Sequence, residues 1–373
     1  YIDAFRALGI NVVEVFINEL GTDSLDEKAQ ILGQRFREST PMFVFSINYF
    51  PYISIVCQGL SLKYVSLSVT CPMIEIYNRT IKNSCNRVFL FDRQQYESVK
   101  DENPEGIFHL PLGAAVERMD TLLGETCDYK YDISFVGSLY NEKDPFLKLD
   151  MSSEKREYFE AVMNRQIDEK AWGQELLEES VSERDVEDIK AAASDFYPSH
   201  MSVMDLDRFV AVNNYLSPHM TYIERVMILN MLGERFGQEG IHFFTQSDVS
   251  LLHDVSCHGG VNTMDEMPFV FRQSKVNLNT STRSIQTGIP QRVWDVLACR
   301  GFLITNYQEE IPLFLEPGND LAVYRDDKEL PELIEYYLTH DDEREAIACA
   351  GYNKVKQQGS VLFRVLEIIR KIA

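Results

Sequence analysis

Residues 275–305, "KVNLNTSTRSIQTGIPQRVWDVLACRGFLIT", carry the clearest indication of how this chain folds. The segments "KVNLN" (275–279) and "GFLIT" (301–305) have the length and the apolar composition of buried strands. Between them, Pro290 is suited to the first turn of a helix, which we expect over 290–299. A strand, a helix and a second strand in this order predict a parallel pair in an α/β sheet.

The predicted helix at 290–299 has an apolar face and a polar face. Four residues share the face that we expect to pack on the core: Ile289, Val293, Val296 and Leu297. Residues three or four positions apart share another face: Gln291, Arg292 and Asp295. Open α/β sheets bind ligands at the carboxyl ends of their strands, which is where this helix begins. The polar face therefore predicts a binding site.

A diphosphate is the ligand that this arrangement favours. A helix amino terminus attracts anions, and Gly288 lets a ligand approach backbone N–H groups closely. We expect Arg283 and Arg292 to bind phosphate oxygens, and Asp295 to accept hydrogen bonds from ribose hydroxyls. Neighbouring residues complete the predicted donor site: Ser284, Ile289 and Pro290. The alternative is an exposed helix whose Arg–Asp pair contributes less than about 1 kcal/mol, and the spacing alone leaves both open.

The rest of the chain alternates between strand-like and helix-like segments. Strands are also predicted at 11–18, 42–48, 63–69, 87–91, 131–137, 241–245 and 321–324. Helices are also predicted at 24–38, from Pro51, from Asp92, near 308–315, at 328–338 and at 359–372. The strand at 131–137 ends in Gly137 and Ser138, which we expect to face the ligand. Residues 150–237 are charged and poor in β-branched residues, which predicts a helical insertion.

The composition limits the classes of function. A formal net charge of −22 argues against a nucleic-acid-binding protein, but it permits a small anionic ligand held by a few arginines. No C-x-x-C pair occurs among the seven cysteines, which is typical of cytoplasmic proteins without disulfides or a zinc site: Cys57, Cys71, Cys85, Cys127, Cys257, Cys299 and Cys349. No apolar run predicts a transmembrane segment. We therefore expect a cytoplasmic protein.

The segment from Lys275 to Val355 resembles the C-terminal domain of the spore-maturation-protein (CgeB-type) glycosyltransferases, which have GT-B architecture. The stretch "NLNTSTRSIQTGIPQRVWDVLACRGFLITNYQEEIPLFLEPGNDLAVY" (277–324) follows the pattern of that family almost continuously. Three further segments resemble its N-terminal domain: "FSINYFPYISIVCQGLSLKYVSLSV" (45–69), "NRVFLFDRQQYE" (86–97) and "FHLPLGAAVER" (108–118). The resemblance covers most of the chain outside 150–237.

The resemblance implies an α/β protein of two Rossmann-like domains that face each other across a cleft. We expect an acceptor-side domain at 1–128 and a nucleotide-sugar-binding domain at 129–373, which includes the insertion. Because the segment from Tyr1 is already helical in pattern, we also expect a strand upstream of it. At the end of a first-domain strand, Asn48 and Tyr49 are predicted to line the acceptor side. A buried asparagine in a turn is the equal alternative.

The sequence departs from these families at two positions that matter for catalysis. In the wider GT-B group two glutamates often stand eight residues apart. In this chain the corresponding positions are occupied by Thr287 and Asp295. Relatives tend to have Asp-Ser-Pro after the third strand, where this chain has Thr-Cys-Pro at 70–72. The stereochemistry and the catalytic base are therefore open. Candidate bases near the expected cleft are Glu75, Asp92, His109 and His258.

His258 lies in "SCHGG" (256–260), a predicted loop. A histidine there can donate to a phosphate or take a proton from an acceptor hydroxyl, because its pKa is near neutrality. The alternative is a loop histidine without a role. No D-x-D motif is flanked by apolar strand residues, so we expect no metal and no other cofactor.

The resemblance implies transfer of a sugar from a nucleotide-sugar donor, with UDP weakly preferred, to an unidentified glycan, protein or small-molecule acceptor. Two alternatives remain open at this point. One is an epimerase or hydrolase of the same two-domain architecture that acts on nucleotide-sugars. The other is a non-catalytic protein that binds nucleotide-sugars.

Overall fold

The computed structural model describes residues 1–124, 128–142, 144–170 and 172–372, so Cys127 lies outside the described residues. The chain forms two compact units. The first unit comprises Tyr1–Leu112, Pro198–Leu206 and Val361–Ala373. The second unit comprises Gly113–Tyr197 and Asp207–Ser360. Each unit contains a parallel sheet with helices, as the α/β alternation predicts.

The first unit is built on a four-stranded parallel sheet in the order β1-β2-β3-β4. Its strands are β1 (Phe43–Ile47), β2 (Lys63–Leu67), β3 (Asn86–Leu90) and β4 (Ile107–His109). Its first helices are α1 (Ile2–Ala7), α2 (Leu25–Ser39), α3 (Pro51–Leu60) and α4 (Arg93–Val99). Short 3₁₀ helices lie at Ile17–Glu19, Ile74–Tyr77, Arg79–Lys82, Lys100–Glu102 and Ser199–Met201. The strands predicted at 42–48, 63–69 and 87–91 are confirmed.

The strand that we predicted at 11–18 is wrong. Residues 11–16 have no regular structure, and Ile17–Glu19 is a 3₁₀ helix. Val13 and Phe16 are 68% and 57% exposed. A strand needs a neighbour to pair with its backbone groups, and none of the described strands pairs with this segment. Its apolar pattern therefore does not produce a strand here.

The second unit is built on a six-stranded parallel sheet in the order β10-β9-β8-β5-β6-β7. Its strands are β5 (Tyr131–Val136), β6 (Ile241–Phe244), β7 (Ser256–His258), β8 (Ser274–Asn279), β9 (Leu303–Asn306) and β10 (Ala322–Tyr324). β5, the first of these strands in sequence, lies in the middle of the sheet. β6 and β7 follow on one side of it, and β8, β9 and β10 then follow on the other side. The strand order therefore reverses between β5 and β8. Five predicted strands are confirmed, at 131–137, 241–245, 275–279, 301–305 and 321–324.

The loop that we predicted at 256–260 is wrong for its first three residues, which form strand β7, and correct for Gly259 and Gly260, which have no regular structure. β7 has three residues, is at the edge of the sheet and contains the polar sequence "SCH". So short a polar strand has no hydrophobic alternation that a sequence pattern can detect. The three-residue strand β4 was missed because it is equally short.

The second unit contains helices that pack on its sheet and others that pack on those helices. The first of them are α5 (Val116–Leu123), α6 (Pro145–Lys148), α7 (Ser153–Glu169), α8 (Glu175–Ser180), α9 (Glu183–Ala192), α10 (Asp207–Val210) and α11 (Ser217–Phe236). A π-helical turn, Ala211–Leu216, makes α10 and α11 continuous, and it ends just before Pro218, which has no N–H to donate. The segment predicted as a helical insertion is therefore helical, although Pro198–Leu206 within it belong to the first unit.

The remaining helices follow the last strands. They are α12 (Met267–Arg272), α13 (Gln291–Ala298), α14 (Ile311–Phe314), α15 (Leu330–Thr339), α16 (Asp341–Gln358) and α17 (Val361–Ile372), with a 3₁₀ turn at Asp327–Glu329. The last helix, α17, returns to the first unit, where Ile368 and Ile372 pack with Val65, Leu67 and Phe89 in its core. Among the described residues, no helix combines the length and the hydropathy of a bilayer span. The six described cysteines form no disulfide bond.

Candidate functional site

The carboxyl ends of β5 and β8 lie side by side at the point where the strand order of the second unit reverses. β5 leads into Gly137 and Ser138, and β8 leads into Thr280. Such a reversal opens a crevice at the carboxyl edge of an α/β sheet, and ligands bind in it. Gly137 and Ser138 thus lie at the edge where we expected a ligand.

Arg225 of α11 connects these two strand ends. Its Nε donates to Thr280 Oγ1 at 3.0 Å, and its Nη2 donates to the Thr280 carbonyl at 2.6 Å. Its Nη1 donates to the carbonyl of Ser138. The guanidinium carbon lies 5.3 Å from the ring centroid of Phe135 and 5.0 Å from that of Tyr140. These hydrogen bonds and ring contacts are all made with uncharged groups.

The charge of Arg225 has no carboxylate beside it. The residue is 7% exposed, and no carboxylate oxygen of the described residues lies within 4.0 Å of its side-chain nitrogens. Burial lowers the pKa of Arg225, and Tyr140, Glu224 and Glu142 oppose this effect from longer range. Burying a cation is costly unless a counter-charge accompanies it, so this position favours a bound anion.

The turn after β5 supports this edge. Tyr140 has a φ of +73°, which residues other than glycine rarely adopt. Ser138 Oγ accepts a hydrogen bond from the Tyr140 N–H at 2.6 Å and donates to Glu142 Oε2 at 2.8 Å. Although burial alone raises the pKa of Glu142, hydrogen bonds from Ser247 and Ser138 and the charge of Arg225 hold it below its usual value. The turn is therefore fixed by its own polar contacts.

Arg292, on α13, is the second cation at this edge. Its guanidinium carbon lies 5.2 Å from the ring centroid of Phe271, and its Nη1 contacts the sulfur of Met267. Burial lowers the pKa of Arg292; Asp295 opposes this, and the charge of Arg225 lowers the pKa further. Within the described ranges no carboxylate oxygen lies within 4.0 Å of its nitrogens. A bound anion would offset the repulsion between these two arginines.

Helix α13 has the two faces that its sequence predicts. Gln291 Nε2 donates to Asp295 Oδ1 at 2.8 Å and to the carbonyl of Gly113 at 3.0 Å. Burial raises the pKa of Asp295, and the charge of Arg292 opposes this effect. The predicted core face is confirmed, because none of its residues is more than 2% exposed: Ile289, Val293, Val296 and Leu297. Pro290 stands at the N-cap, directly before the helix.

Arg283 is bound within the protein in this structure. Its Nε donates to Glu224 Oε2 at 3.0 Å, and its Nη2 donates to the other oxygen of that carboxylate. Its Nη1 donates to the carbonyls of Lys170 at 2.7 Å and Gly173 at 3.4 Å. Arg283 therefore fixes the loop between α7 and α8. A phosphate contact by Arg283 stays a prediction, since it requires this buried pair to open.

Glu310 holds the loop that precedes α13. Thr287 Oγ1 donates to Glu310 Oε1 at 2.8 Å, and the Glu310 N–H donates to the Thr287 carbonyl at 3.1 Å. Thr287 stands at the position where the wider GT-B group often has a glutamate. In this structure Glu310, from the segment after β9, places a carboxylate beside that position. The other predicted donor-site residues of this loop are Ser284, Gly288 and Ile289.

Asn48 and Tyr49 form hydrogen bonds with other segments of the first unit. Asn48 has a φ of +65°; its Nδ2 donates to Thr70 Oγ1 at 3.0 Å, and its Oδ1 accepts from the Val69 N–H at 3.0 Å. Tyr49 is 1% exposed and donates to Thr80 Oγ1 at 2.9 Å, and burial raises its pKa to about 12. These contacts fit the alternative of a turn residue. Contact with an acceptor stays a prediction.

Asp92 and His109 lie at the carboxyl ends of the neighbouring strands β3 and β4. Asp92 is fully buried, and its Oδ1 accepts a hydrogen bond from the Gln95 N–H at 2.9 Å, so it caps α4. The His109 ring lies 6.0 Å from that of Tyr96. A catalytic role for either residue stays a prediction.

His258 belongs to the second unit and pairs with a second histidine. Its Nε2 lies 3.0 Å from His242 Nδ1, and its ring stacks on Phe244 with a centroid distance of 4.5 Å. Burial and the charge of His242 lower the pKa of His258, so the ring is neutral and able to accept a proton at pH 7. A role as the base stays a prediction.

Two residues of this edge were not predicted from the sequence, Arg225 and Glu310. Glu224 and Arg225 are two consecutive charged residues inside a largely apolar helical run, and charged residues in such a run are a usable signal because they are rarely buried without a reason. Glu310 follows a buried strand at the carboxyl edge of the sheet. No group of three or more His, Cys, Asp and Glu side chains is arranged to hold a metal ion in the described part of the chain.

Comparison with known proteins gives a family match and several similar structures. Residues 229–369 match the family described as glycosyl transferase-like. The chain is similar to a glycosyltransferase from Rickettsia africae ESF-5, with 11% identity and a TM-score of 0.52 over 99% of this chain and 86% of that chain. It is similar to Anabaena HepE in complex with UDP-glucose, with 9% identity and a TM-score of 0.52 over 99% and 88% of the two chains.

A third similar structure is sucrose-phosphate synthase from Thermosynechococcus elongatus, with 9% identity and a TM-score of 0.53 over 93% of this chain and 78% of that chain. The comparison with curated proteins gave no match. At these identities the structures establish the fold, which is that of GT-B glycosyltransferases. The family match covers β6 to β10 of the second unit. Residues 229–369 thus match a glycosyl transferase-like family, and the chain has the fold of GT-B glycosyltransferases.

Proposed function

We propose that the protein transfers a sugar from a nucleotide-sugar, with a UDP-sugar preferred, to a glycan, protein or small-molecule acceptor. The observation that carries this proposal is the pair Arg225 and Arg292. Both lie at the reversal of strand order, Arg225 buried and Arg292 half-buried, without a carboxylate of the described residues within 4.0 Å. A diphosphate supplies the negative charge that these arginines lack.

In this proposal the diphosphate lies between the turn at Gly137 and Ser138 and the amino terminus of α13. The backbone N–H groups and the dipole of that helix favour an anion. Asp295, one turn inside the helix, accepts hydrogen bonds from the ribose hydroxyls. Such bonds stabilise the ionised carboxylate and offset the burial that raises the pKa of Asp295.

The chemical step breaks the bond between the anomeric carbon and the diphosphate oxygen. The acceptor oxygen forms the new bond to that carbon, and the proton of the acceptor hydroxyl passes to a base. His258, His109 and Asp92 remain the candidates for this base. Negative charge accumulates on the leaving diphosphate, where Arg225 and Arg292 stabilise it. We propose that these two cations replace a metal ion in this role and that no other cofactor takes part.

The choice of uridine and of the narrower family is also part of the proposal. Anabaena HepE, which has a similar fold, binds UDP-glucose, and this supports a uridine nucleotide. The match of 277–324 to the pattern of the CgeB-type transferases supports membership of that group.

Calorimetric titration of the purified protein with UDP, GDP, dTDP and CDP tests the proposal. We expect UDP to bind with micromolar affinity, with no change when EDTA is added. Absence of binding by all four nucleotides would contradict it. An acceptor-dependent turnover assay then separates sugar transfer from release of free sugar, and from binding without turnover.

A further inference from the structure

Three residues from separate segments converge at the carboxyl edge of the second sheet. Trp172 comes from the loop between α7 and α8, Tyr307 directly follows β9, and Arg325 directly follows β10. The rings of Trp172 and Tyr307 have a centroid distance of 5.0 Å. The guanidinium carbon of Arg325 lies 3.7 Å from the Tyr307 centroid and 6.0 Å from the Trp172 ring. We refer to these three residues as the aromatic–arginine cluster.

The polar groups of this cluster are not used inside the protein. The Arg325 guanidinium, the Trp172 indole N–H and the Tyr307 hydroxyl form no hydrogen bond or ion pair with any other described residue. Arg325 is exposed, and the two rings are partly exposed. Stacking occupies the flat face of a guanidinium and leaves the N–H groups in its plane available to a ligand.

Another arginine of the second unit shows what a completed structural stack looks like. The Arg300 guanidinium carbon lies 4.5 Å from the Tyr352 ring centroid, and its Nη2 also binds Asp120 Oδ1 at 3.0 Å. That arginine therefore has its carboxylate partner within the protein. Arg325 has the ring and lacks the carboxylate, which indicates that an anionic group comes from outside.

Buried contacts hold Trp172 in this cluster. Arg283 donates to the carbonyls of Lys170 and Gly173, which flank the tryptophan, while the Glu224 carboxylate holds Arg283 itself. Gly173 has a φ of +72°, which a glycine adopts without strain. Arg283 therefore holds the backbone on both sides of Trp172.

The cluster lies along the same sheet edge as the proposed diphosphate position. The carboxyl ends follow each other in the order β5, β8, β9 and β10. Neighbouring strands are about 4.8 Å apart, so the ends of β9 and β10 lie roughly 5 to 10 Å from β8. This is the separation of a neighbouring subsite, which a donor diphosphate at β5 and β8 does not fill.

We propose that the aromatic–arginine cluster binds the acceptor on the second unit, independently of the first-unit contacts predicted for Asn48 and Tyr49, and that the acceptor is a saccharide bearing a carboxylate or phosphate group; this rests on the proposed function. The ring faces offer flat apolar surfaces to the C–H groups of a sugar ring. The indole N–H and the phenol O–H donate to its oxygen atoms. The fork of Arg325 binds the anionic group through two parallel hydrogen bonds.

The test measures binding of methyl glucuronide, glucose 6-phosphate and neutral methyl glucoside to the whole protein saturated with UDP. Calorimetry with UDP alone comes first, and it tests the donor site independently of the cluster. We expect at least one anionic sugar to bind about tenfold more tightly than methyl glucoside. Which of the two it is distinguishes a carboxylate from a phosphate.

Two variants and a matched control complete the experiment. Arg325→Gln should abolish the preference for the anionic sugar, and Trp172→Leu should weaken the binding of all three sugars. Both variants should keep the wild-type affinity for UDP. Arg184→Gln removes the charge of an exposed arginine on α9 and should change neither property. Retained UDP affinity also shows that each variant is folded.

The inference is overturned if the wild type binds UDP but binds the three sugars equally or not at all. It is also overturned if Arg325→Gln weakens the anionic and the neutral sugars alike. If the wild type does not bind UDP, the proposed function fails first and the inference fails with it.

Discussion

Two adjacent residues of α11 have opposite electrostatic surroundings. Glu224 is matched by Arg283, whose guanidinium binds both oxygens of its carboxylate. Arg225, the next residue, is equally buried, and it binds carbonyls and a hydroxyl but no described carboxylate. The first arrangement is electrically complete within the protein, and we propose that an anion completes the second. The missing counter-charge of Arg225, and not its burial alone, is therefore the observation on which the proposed donor site rests.

The largest effect in this comparison is expected for Arg283→Met. This change leaves the Glu224 carboxylate buried and unpaired, which should lower the free energy of unfolding by about 3 to 5 kcal/mol. Urea denaturation measures it. Arg235→Met is the control, because Arg235 and Glu335 form an exposed ion pair of the same unit with side chains 50% and 55% exposed. That pair should contribute less than about 1 kcal/mol. Equal losses in the two variants would contradict our interpretation of the buried pair.

We expect Arg225→Met to weaken nucleotide binding and to leave the free energy of unfolding nearly unchanged. The loss of a charge-assisted hydrogen bond to phosphate should weaken the affinity for UDP about 10- to 100-fold, because such a bond contributes roughly 1.5 to 3 kcal/mol. The free energy of unfolding should change little, because removing a buried cation offsets the loss of its hydrogen bonds. Calorimetry and urea denaturation on the same preparation separate the two quantities. Unchanged UDP affinity in a folded variant would show that Arg225 is not part of the donor site.

Asp327, whose carboxyl lies close to Glu224, should make the stability of the protein depend on pH. Its buried Oδ1 has no hydrogen-bond partner among the described residues, and burial, followed by the charge of Glu224, raises its pKa to about 7. Because the folded pKa lies above the unfolded value, the folded protein binds more protons and loses stability as pH rises towards 7. We expect a loss of about 2 kcal/mol between pH 5 and pH 8 from this group.

Asp327→Asn should remove that loss, and thermal unfolding at pH 5 and pH 8 measures it. Asp342→Asn, at an exposed position of α16, is the matched control and should leave the pH dependence unchanged. If the pH dependence is the same in Asp327→Asn and the wild type, then Asp327 is not the group that titrates.

The smallest effect is expected for Asp295→Asn. An amide is a weaker acceptor for ribose hydroxyls than a carboxylate, so UDP should bind about tenfold less tightly, equivalent to about 1.4 kcal/mol. Inorganic pyrophosphate has no ribose, and its affinity should stay the same. Calorimetry with both ligands makes the test. A parallel loss for UDP and pyrophosphate would place Asp295 at the diphosphate and not at the ribose.

Sequence patterns predicted the elements that carry a strong hydrophobic signal. Most strands of both sheets and the two faces of α13 follow from the local residues, because period and composition decide them. The failed prediction at 11–18 has the same cause. A short apolar segment can form a strand only if another strand pairs with it. That partner strand comes from elsewhere in the chain, so the local pattern does not reveal whether it is present.

The chemistry of the site was less predictable because its contacts are distant in sequence. Arg283 pairs with Glu224, which is 59 positions earlier, and Arg225 binds Thr280, which is 55 positions later. Local spacing placed Arg283 and Arg292 in one loop–helix segment and suggested one role for both. The fold separates them, because a partner from α11 reaches one of them and not the other.

The position of α17 has a consequence for synthesis of the protein on the ribosome. Ile368 and Ile372 complete a core formed with Val65, Leu67 and Phe89, but 248 residues lie between Leu112 and Val361. At translation rates of about 5 to 20 residues per second, the first unit waits roughly 10 to 50 seconds for its last helix. During that interval its apolar sheet face is exposed, so a chaperone that binds nascent chains has a defined substrate.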